Sequence, residues 1–407
     1  MPREELWAKS DGPYPLPWHL LDAAAAMEPL WRLWLRPGLK QLLIDELGED
    51  ASTILSYLAG VHDIGKANPV FQLQLASDRD FPLREHLLQQ LKEAGYSVHV
   101  PKLISGHPAF RRHEQVSAQH LATGSLTNAS AAEQWVAMSA LGHHGKFNVD
   151  TTNARSTRKW FSGTWLEARE ELRQMIEDAT GAHTLPDSIS PVAVVLISGL
   201  VILADRLASQ QIAIDAALEA QQQGHLDPAD GSAWIAARRE FFEQRVRDTL
   251  GVPQLISDPP KDIMRGRKPR ETQAQAADVG RGLWLLMTPT GSGKTEAAML
   301  RHAAETEALT LLLPTQATTT AAMRRYEGFF ANTDSVAALA HGMASLDPFY
   351  QDSQVPGRVG LFPTDFVSRG GNRLLAPVTV ATVAQALMAS LPLKWSHLRL
   401  LALANSH

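Results

Sequence analysis

The sequence has no cysteine among its 407 residues. Disulfide bonds and zinc sites with thiolate ligands are therefore excluded, and a reducing cytoplasm is a compatible location. A strongly basic surface is also excluded, because the formal net charge is -5. Any polyanion that the protein handles must be held at local sites, such as metal ions or short basic clusters, and not by phosphate contacts spread over the whole surface.

Long hydrophobic runs are absent as well. The longest apolar run, residues 192–204, contains Ser198 and Gly199 and is shorter than the roughly 20 residues that a membrane span requires. The N-terminal residues MPREELWAKSDGPYPLPW carry acids and prolines, where a secretory signal is basic and then apolar. We therefore expect a soluble, cytoplasmic protein with no membrane partner, in which residues 192–204 belong to a buried core helix.

The spacing of hydrophobic residues divides the chain into two parts. Residues 1–250 show apolar residues at spacings of three and four, which predicts an all-α domain. Residues 251–270 collect prolines, glycines and basic residues, as linkers do. In residues 271–407 the short apolar runs GLWLLMT, LTLLLP, SVAALAH and PVTVAT alternate with helix-like stretches. This alternation predicts an α/β domain with a parallel sheet, so the protein is expected to be multi-domain.

A phosphate-binding loop is predicted in the α/β part, where LWLLMTPTGSGKTEAAML places a strand, a loop and a helix in order. Gly291 and Gly293 would let backbone N–H groups surround a phosphate. Lys294 could reach the β and γ phosphates of ATP, and the Thr295 hydroxyl could bind Mg²⁺. The whole predicted loop comprises Thr288, Pro289, Thr290, Gly291, Ser292, Gly293, Lys294 and Thr295. A glycine-rich turn that binds no nucleotide is the plainer alternative, and the flanking elements argue against it.

Three further features bear on the nucleotide chemistry. Thr288 stands where the strict motif has glycine, which is the form found in superfamily 2 helicases. Gln273 stands where such helicases often place a glutamine that reads adenine, although a glutamine also arises there by chance. Beyond Lys294 no aspartate is followed by glutamate, so the acids that hold magnesium and activate water in an ATPase are missing. Strand separation by this chain alone is therefore not expected.

Histidine pairs indicate metal chemistry in the all-α part. Eleven of the 15 histidines precede residue 251, and they include His62 beside Asp63 and the adjacent His143 and His144. A single histidine is more often a satisfied core or surface residue than a ligand. Burying two adjacent polar pairs beside glycine in a core costs free energy, however, so these pairs favour a metal site. His19 and His113, each near the end of an apolar stretch, are further candidates.

Asp205 strengthens this interpretation, because it lies near the end of the most apolar helix. Burying its carboxylate unpaired would cost several kcal/mol, so it needs a metal ion or, alternatively, an arginine such as Arg206. Imidazole and carboxylate ligands favour manganese, iron, cobalt, nickel or zinc over magnesium. Two such ions would neutralise a phosphodiester and activate a water molecule, which is hydrolysis of a phosphate ester.

Asp63 and Lys66 are the predicted catalytic residues. On a helix, Asp63 would lie about 100° from His62, so the two side chains could not stack on one face. Asp63 has two oxygens and could bridge two ions while His62 binds one. Lys66, one turn further along the chain, would then lean towards the phosphate.

Taken together, the motifs resemble one family. The order of H...HD...D residues is similar to HD-domain phosphohydrolases, and TPTGSGKTEAA with LPTQAT is similar to the start of a superfamily 2 helicase. Further segments that match are LWAKS, GVHDIGKANPVFQ, RHEQVSA, HHG, ADRLAS and LLAPVTVATVAQALMASLPLKWSHLR. Their combination resembles the CRISPR-associated nuclease-helicase of type I systems over nearly all of the chain.

The resemblance implies an all-α HD-domain phosphohydrolase (residues 1–250), a linker (251–270) and a partial RecA-like P-loop helicase domain (271–407). It implies that the HD site cuts single-stranded DNA with transition-metal ions, after an RNA-guided surveillance complex has opened the duplex. It also implies that the helicase half uses ATP with magnesium. By position, the implied metal ligands are His19, His62, Asp63, His113, His143, His144 and Asp205. His113 is preferred to His107 because it opens an HExxS segment.

The sequence departs from this family in two places. Residues 382–385 read TVAQ where the family typically has TxDQ, and ALANSH stands where the family continues into a DExH strand. We therefore expect a fragment, or a natural truncation that keeps a nuclease and has lost its motor. The alternatives are an HD-type nucleotide phosphohydrolase and a non-catalytic module that binds the surveillance complex.

Overall fold

The computed structural model describes residues 3–9, 14–77, 84–98, 112–123, 128–147, 163–351 and 359–407. The chain forms two compact units. The first unit comprises Met1–Arg32, Lys40–Gln244 and Leu393–Leu398. The second unit comprises Leu33–Leu39, Arg245–Pro392 and Arg399–His407. The domain boundaries at residues 250 and 270 stay predictions.

The first unit is helical, as the apolar spacing predicts. Its helices are α1 (Leu16–Pro29), α2 (Pro37–Leu47), α3 (Ala51–Val61), α4 (Pro69–Ser77), α5 (Arg84–Glu93), α6 (His113–Leu121), α7 (Ala131–Leu141), α8 (Thr164–Thr180), α9 (Pro191–Ala208), α10 (Gln211–Gln222) and α11 (Gly231–Thr249). The first residues of α2 belong to the second unit, and so do the last residues of α11. Ser130 begins α7 with a capping box, and Gly181 ends α8 in the left-handed conformation.

The core of the first unit lies where α1 packs against α3 and α9, with α7 against α6 and α9. Ser190 caps the start of α9 and Pro191 follows it, a sequence that favours helix initiation. In the described part of the chain, α9 is the one helix that is long and apolar enough to cross a membrane, and 67% of this helix is buried inside the molecule. The prediction that residues 192–204 belong to a core helix agrees with this burial.

The second unit contains a parallel sheet. Its strands are β1 (Leu309–Leu313), β2 (Asp334–Ala340), β3 (Gly360–Phe362) and β4 (Val378–Thr382), in the order β1-β4-β2-β3. Leu311 lies opposite Val380, and Leu339 lies opposite the same residue on the other side. Its further helices are α12 (Pro259–Asp262), α13 (Glu271–Ala276), α14 (Lys294–Ala303), α15 (Gln316–Phe329), α16 (Pro348–Gln351), α17 (Val383–Leu387) and α18 (Ser396–Ala404), of which α18 begins in the first unit.

One strand prediction is wrong. The run GLWLLMT, residues 282–288, forms no strand, although the other three predicted runs do. Its alternate side chains Leu283, Leu285 and Met287 are exposed. A strand needs a hydrogen-bonded neighbour, and within the described residues the sheet pairs only the four strands named above. The fold class itself is confirmed: a helical unit followed by a small parallel sheet.

Candidate metal centre

The His62–Asp63 pair lies just beyond a helix and not within it. Helix α3 ends at Val61, His62 caps it, and Asp63 has φ -112°, outside the helical region. A short 3₁₀ turn, Ile64–Lys66, then packs against α6. The expected angle of about 100° around a helix therefore does not apply. The break lets both side chains face the same buried space.

Seven side chains converge there in two groups. The first group is His19, His62, Asp63 and Asp205, and the second is His113, His143 and His144. Within each group the candidate ligand atoms lie within 4.8 Å of one another. These are the seven residues that the resemblance implies as ligands, although their role as ligands stays a prediction. His107 lies outside the described residues.

Asp63 lies between the two groups. Its Oδ2 is 3.2 Å from Nε2 of His19 and 3.2 Å from Nε2 of His62. Its Oδ1 is 3.1 Å from Nε2 of His113 and 3.2 Å from Nε2 of His143. The two oxygens thus face different groups, which is the arrangement that a bridging carboxylate requires.

Asp205 completes the first group. Its Oδ1 is 3.4 Å from Nε2 of His19 and 3.5 Å from Nε2 of His62. The guanidinium of Arg206 lies 4.1 Å from the ring centre of Trp395. Asp205 therefore faces the histidines, and the neighbouring arginine that the sequence offered as an alternative partner has an aromatic contact.

Hydrogen bonds fix the tautomers of two histidines. Nδ1 of His62 is 2.6 Å from the carbonyl oxygen of Ala59, and Nδ1 of His143 is 2.6 Å from that of Ala140. Because a carbonyl oxygen only accepts, each Nδ1 carries a proton and donates it. In the neutral rings, each Nε2 therefore presents a lone pair to an oxygen of Asp63. In those neutral forms two acceptors face each other, which favours a cation between them.

A proton meets this need at His62 but not throughout the cluster. Burial would lower the pKa of His62, but the carboxylates of Asp63 and Asp205 together outweigh it and raise that pKa to about 9. Burial lowers the pKa of His113, and burial with the charges of His143 and His113 lowers the pKa of His144 to about 3. Nε2 of His144 is 2.9 Å from Nε2 of His113. Because the rings lie so close together, their positive charges would repel each other, and protonating all of them at once is disfavoured.

A metal ion fits the donor set. Ligand atoms bound at about 2.1 Å to a common ion lie roughly 3.0–3.4 Å apart, which is close to the separations around Asp63 and Asp205. Burial disfavours both carboxylates, yet His19 and His62 hold the pKa of Asp205 well below its usual range. The pKa of Asp63 is also well below its usual range, because Lys66 and the histidines outweigh burial. Both side chains are thus ionised, as ligands must be.

Lys66 lies inside the centre. Its side chain is buried, and its ammonium is 2.5 Å from Oδ2 of Asp63 and 5.5 Å from the ring centre of Phe71. The sequence suggested that Lys66 leans towards a phosphate. In this structure its nearest partner is the carboxylate, so its charge holds Asp63.

The predicted phosphate loop lines a cavity in the second unit. The cavity measures about 500 Å³, and Gln273, Thr290, Gly291, Gly293, Lys294 and Thr295 are among its lining residues. Helix α14 begins at Lys294, and both loop glycines have positive φ. The ammonium of Lys294 donates to the carbonyl oxygens of Thr288 (2.7 Å) and Pro289 (3.0 Å), and Thr288 bonds Ser292 through its hydroxyl (2.6 Å). The amide of Gln273 donates to the carbonyl oxygen of Gly293 (3.2 Å).

The same cavity includes basic residues that the sequence reasoning missed. They are Arg267, Lys268, Arg270 and Arg325. Three of them come from the segment interpreted as a linker, whose RGRKPR cluster was the available signal. Glu296 also lines the cavity and is paired with Arg325. With Lys294, the basic residues still give the cavity a net positive lining, which suits a polyphosphate.

Comparisons with known proteins agree with this description. A family model described as "Cas3, HD domain" matches residues 7–214, about half of the chain. The "CRISPR-associated endonuclease/helicase Cas3" of Thermus thermophilus is 28% identical, covering 98% of this chain and 45% of the relative. The "CRISPR-associated nuclease/helicase Cas3" of Streptococcus thermophilus is 26% identical over 95% of this chain. The chain thus spans about half the length of the curated relatives that it matches.

Solved structures are similar over the whole chain. The crystal structure of T. fusca Cas3 with AMPPNP matches with a TM-score of 0.79 and 31% identity, covering 100% of this chain and 46% of that one. A chain in the pre-nicking structure of a CRISPR RNA-guided surveillance complex matches with a TM-score of 0.64 and 30% identity, covering 100% of this chain and 43% of that one. Since the family model covers about half of the sequence, the chain belongs to the Cas3 HD-domain family.

Proposed function

We propose that the first unit is a metal-dependent nuclease that cuts single-stranded DNA, internally or from its ends, in type I CRISPR antiviral defence. The observation that carries the proposal is the buried carboxylate of Asp63, which lies between four imidazole nitrogens. In the neutral forms of His62 and His143, two of these nitrogens present lone pairs to it, which favours cations at the site. The names of the relatives, which include endonuclease and helicase, support the same activity.

The side chains would divide between two ions. His19, His62 and Asp205 would hold one ion, and His113, His143 and His144 would hold the other, with Asp63 shared. Divalent manganese, iron, cobalt, nickel or zinc would supply Lewis acidity towards a phosphodiester and the attacking water. Lys66 keeps Asp63 ionised and oriented through its 2.5 Å contact, and it adds positive charge where the phosphate would bind.

For the second unit we propose ATP binding with magnesium. The supporting observation is the positively lined cavity next to the loop that ends at Lys294 and Thr295. Gln273 would contact the adenine from the wall of this cavity. ATP-driven strand separation belongs to the longer relatives, which this chain matches over about half of their length.

The proposed macromolecular partners are single-stranded DNA and the RNA-guided surveillance complex of a type I system, in the cytoplasm. The support for the second partner is the similarity to a chain of such a complex. The net charge of -5 fits delivery of DNA by a partner better than capture by a broadly basic surface.

The test is cleavage of circular single-stranded DNA by the purified chain with Mn²⁺ or Ni²⁺. We expect degradation that chelation stops and that Asp63→Ala abolishes. Asp187→Ala, which removes an exposed carboxylate on the same unit, is the matched control and should cut normally.

Two other outcomes would favour the alternative functions. Hydrolysis of free nucleotides with DNA left intact would favour an HD-type nucleotide phosphohydrolase. Loss of all metal-dependent hydrolysis, with binding to the surveillance complex retained, would favour a non-catalytic module.

A further inference from the structure

The segment LWAKS has no role in the function proposed so far, yet it reaches the metal centre. The ammonium of Lys9 is 2.5 Å from the hydroxyl oxygen of Ser209. That hydroxyl donates a hydrogen bond of 2.8 Å to Oδ1 of Asp205. Oδ1 is also the atom that faces His19 and His62. A chain of two hydrogen bonds therefore connects Lys9 to a candidate ligand atom.

The direction of these hydrogen bonds is settled by chemistry. An ammonium only donates and a carboxylate only accepts, so Ser209 must accept from Lys9 and donate to Asp205. Hydrogen bonds to charged groups are shorter and stronger than neutral ones, and consecutive bonds polarise each other. Ser209 lies one helical turn after Asp205, at the cap of α9, so its hydroxyl is held beside the carboxylate. This arrangement restricts rotation of the Asp205 carboxylate.

The backbone around Lys9 is held firmly. Gln72 accepts a hydrogen bond from the N–H of Trp7 (3.1 Å) and donates to the carbonyl oxygen of Trp7 (2.9 Å). The same amide donates to the carbonyl oxygen of Lys66 (3.0 Å). The N–H of Ala8 also donates to the carbonyl oxygen of Tyr14 (2.9 Å). One buried glutamine therefore fixes the segments that carry both lysines of the centre.

The two lysines then act on different carboxylates. Lys66 contacts Asp63 directly, whereas Lys9 reaches Asp205 through Ser209. Partners outside the ligand shell orient ligands, and their loss typically costs about 10- to 100-fold in metal affinity. An exposed lysine without such a connection has no comparable effect.

We propose that Lys9 and Ser209 are positioning residues that hold the Asp205 carboxylate in the orientation for binding a divalent metal ion. This inference rests on the proposed metal-dependent function. Lys9 acts through Ser209 in this scheme and does not itself contact the substrate.

The test is calorimetric titration of the full chain with Mn²⁺ alone, without DNA. Lys9→Met and Ser209→Ala should each weaken one of two Mn²⁺ sites by about 10- to 100-fold. The other site, built around His113, should keep its affinity. Lys92→Met, which removes an exposed lysine from α5 on the same unit, is the matched control and should bind as the wild type does.

The double variant separates a relay from independent effects. If Lys9 acts through Ser209, the double variant should be no weaker in Mn²⁺ binding than the weaker single variant. Multiplied losses, or unchanged affinity in Lys9→Met, would overturn the inference while wild-type binding sustains the proposed function. A wild type that binds no Mn²⁺ would overturn both. Each variant must unfold at a temperature within a few degrees of that of the wild type. If Lys9→Met does not fold, Ser209→Ala still tests the inference.

Discussion

At the scale of single residues, the chemistry of the first unit depends on which atoms face each other. Asp63 is 1% exposed, and its two oxygens lie near four imidazole nitrogens. The carbonyl groups of Ala59 and Ala140 fix the protons of two rings on the far side. A cluster of the same residue types with the opposite tautomers could bond to itself and would need no ion. The backbone carbonyls therefore turn a set of histidines into a candidate metal centre.

Gly65 gives a first prediction. A Cβ at this position would stand closer than van der Waals contact to the carbonyl oxygen of His113 and the N–H nitrogen of Ser117, which are backbone atoms of α6. Gly65→Ala should therefore displace α6 and cost about 1–3 kcal/mol of stability or more. It should weaken the Mn²⁺ site that includes His113 more than the site that includes His19. Calorimetry and thermal unfolding measure both effects.

The control for this change is Gly280→Ala, where a Cβ meets nothing within 4 Å. We expect it to leave metal binding unchanged. Equal Mn²⁺ affinities for Gly65→Ala and wild type would show that the close approach of the turn to α6 does not position His113.

His302 gives a prediction about pH. It is 3% exposed in the second unit, and burial, with the charges of His407 and Arg301, lowers its pKa to about 4. In the unfolded chain the pKa of histidine is about 6.5, so between these values only the unfolded state takes up the proton. The stability from the neutral ring is therefore present above about pH 6.5 and is lost as the pH falls.

Between pH 7 and pH 5, the wild type should lose about 2 kcal/mol more unfolding free energy than His302→Gln. Urea unfolding at the two pH values measures this difference. His183→Gln removes an exposed histidine and should lose as much as the wild type. Equal losses for wild type and His302→Gln would contradict the prediction.

At the scale of elements, periodicity predicted those parts whose burial is visible in the sequence. The apolar spacing of residues 192–209 predicts helix α9, and PVTVAT predicts β4, which is buried along its whole length. The run at residues 282–288 shows the limit, because a strand is a property of a pair and the sequence does not name the neighbour.

The candidate site was likewise predictable only in part. Residue types and adjacency indicate the seven converging side chains, because a histidine beside an aspartate is an unusual pair of residues in a protein core. The bridging position of Asp63 depends on the break after α3, and the contact of Lys9 depends on the fold of the N-terminal segment. Neither follows from spacing along the chain. The basic lining of the cavity beside the predicted phosphate loop was missed for the same reason, because three of its residues lie in a segment interpreted as a linker.

The segment Leu393–Leu398 gives a prediction at this scale. It belongs to the first unit, and the ring of Trp395 lies against both Gly145 and Arg206, which are neighbours in sequence of His144 and Asp205. The N–H of Trp395 also donates to the carbonyl oxygen of Gly145 (3.1 Å). Trp395→Ala removes the ring that packs against the loop at residues 142–147, which carries His143 and His144, while the backbone hydrogen bond can persist.

We expect Trp395→Ala to weaken Mn²⁺ binding at the His143–His144 side by about 10-fold, because the loop gains freedom. Trp284→Ala removes a partly exposed tryptophan from the irregular segment of the second unit and serves as control. Titration with Mn²⁺ measures both. An unchanged affinity would mean that the loop holds its histidines without Trp395.

At the scale of the whole molecule, the two candidate sites are built from separate parts of the chain. All seven candidate metal ligands belong to the first unit, and the phosphate loop with its cavity belongs to the second. No side chain is common to the two described sites. The second unit has hydrophobic clusters on both faces of its sheet. Leu339 and Val380 lie in one cluster, and Val336 and Ala338 lie in the other.

This separation predicts that the two activities can be removed one at a time. Lys294→Ala removes the ammonium that would reach the ATP phosphates, so binding of ATP with magnesium should fall by at least about 10-fold. Cleavage of single-stranded DNA with Mn²⁺ should stay at the wild-type rate, with or without ATP. Asp63→Ala should show the reverse, with ATP binding retained and cleavage lost. A fluorescent ATP analogue and a gel-based cleavage assay on the same preparations measure the two activities. Faster cleavage by the wild type when ATP is added, absent in Lys294→Ala, would show instead that nucleotide binding in the second unit controls the metal centre of the first.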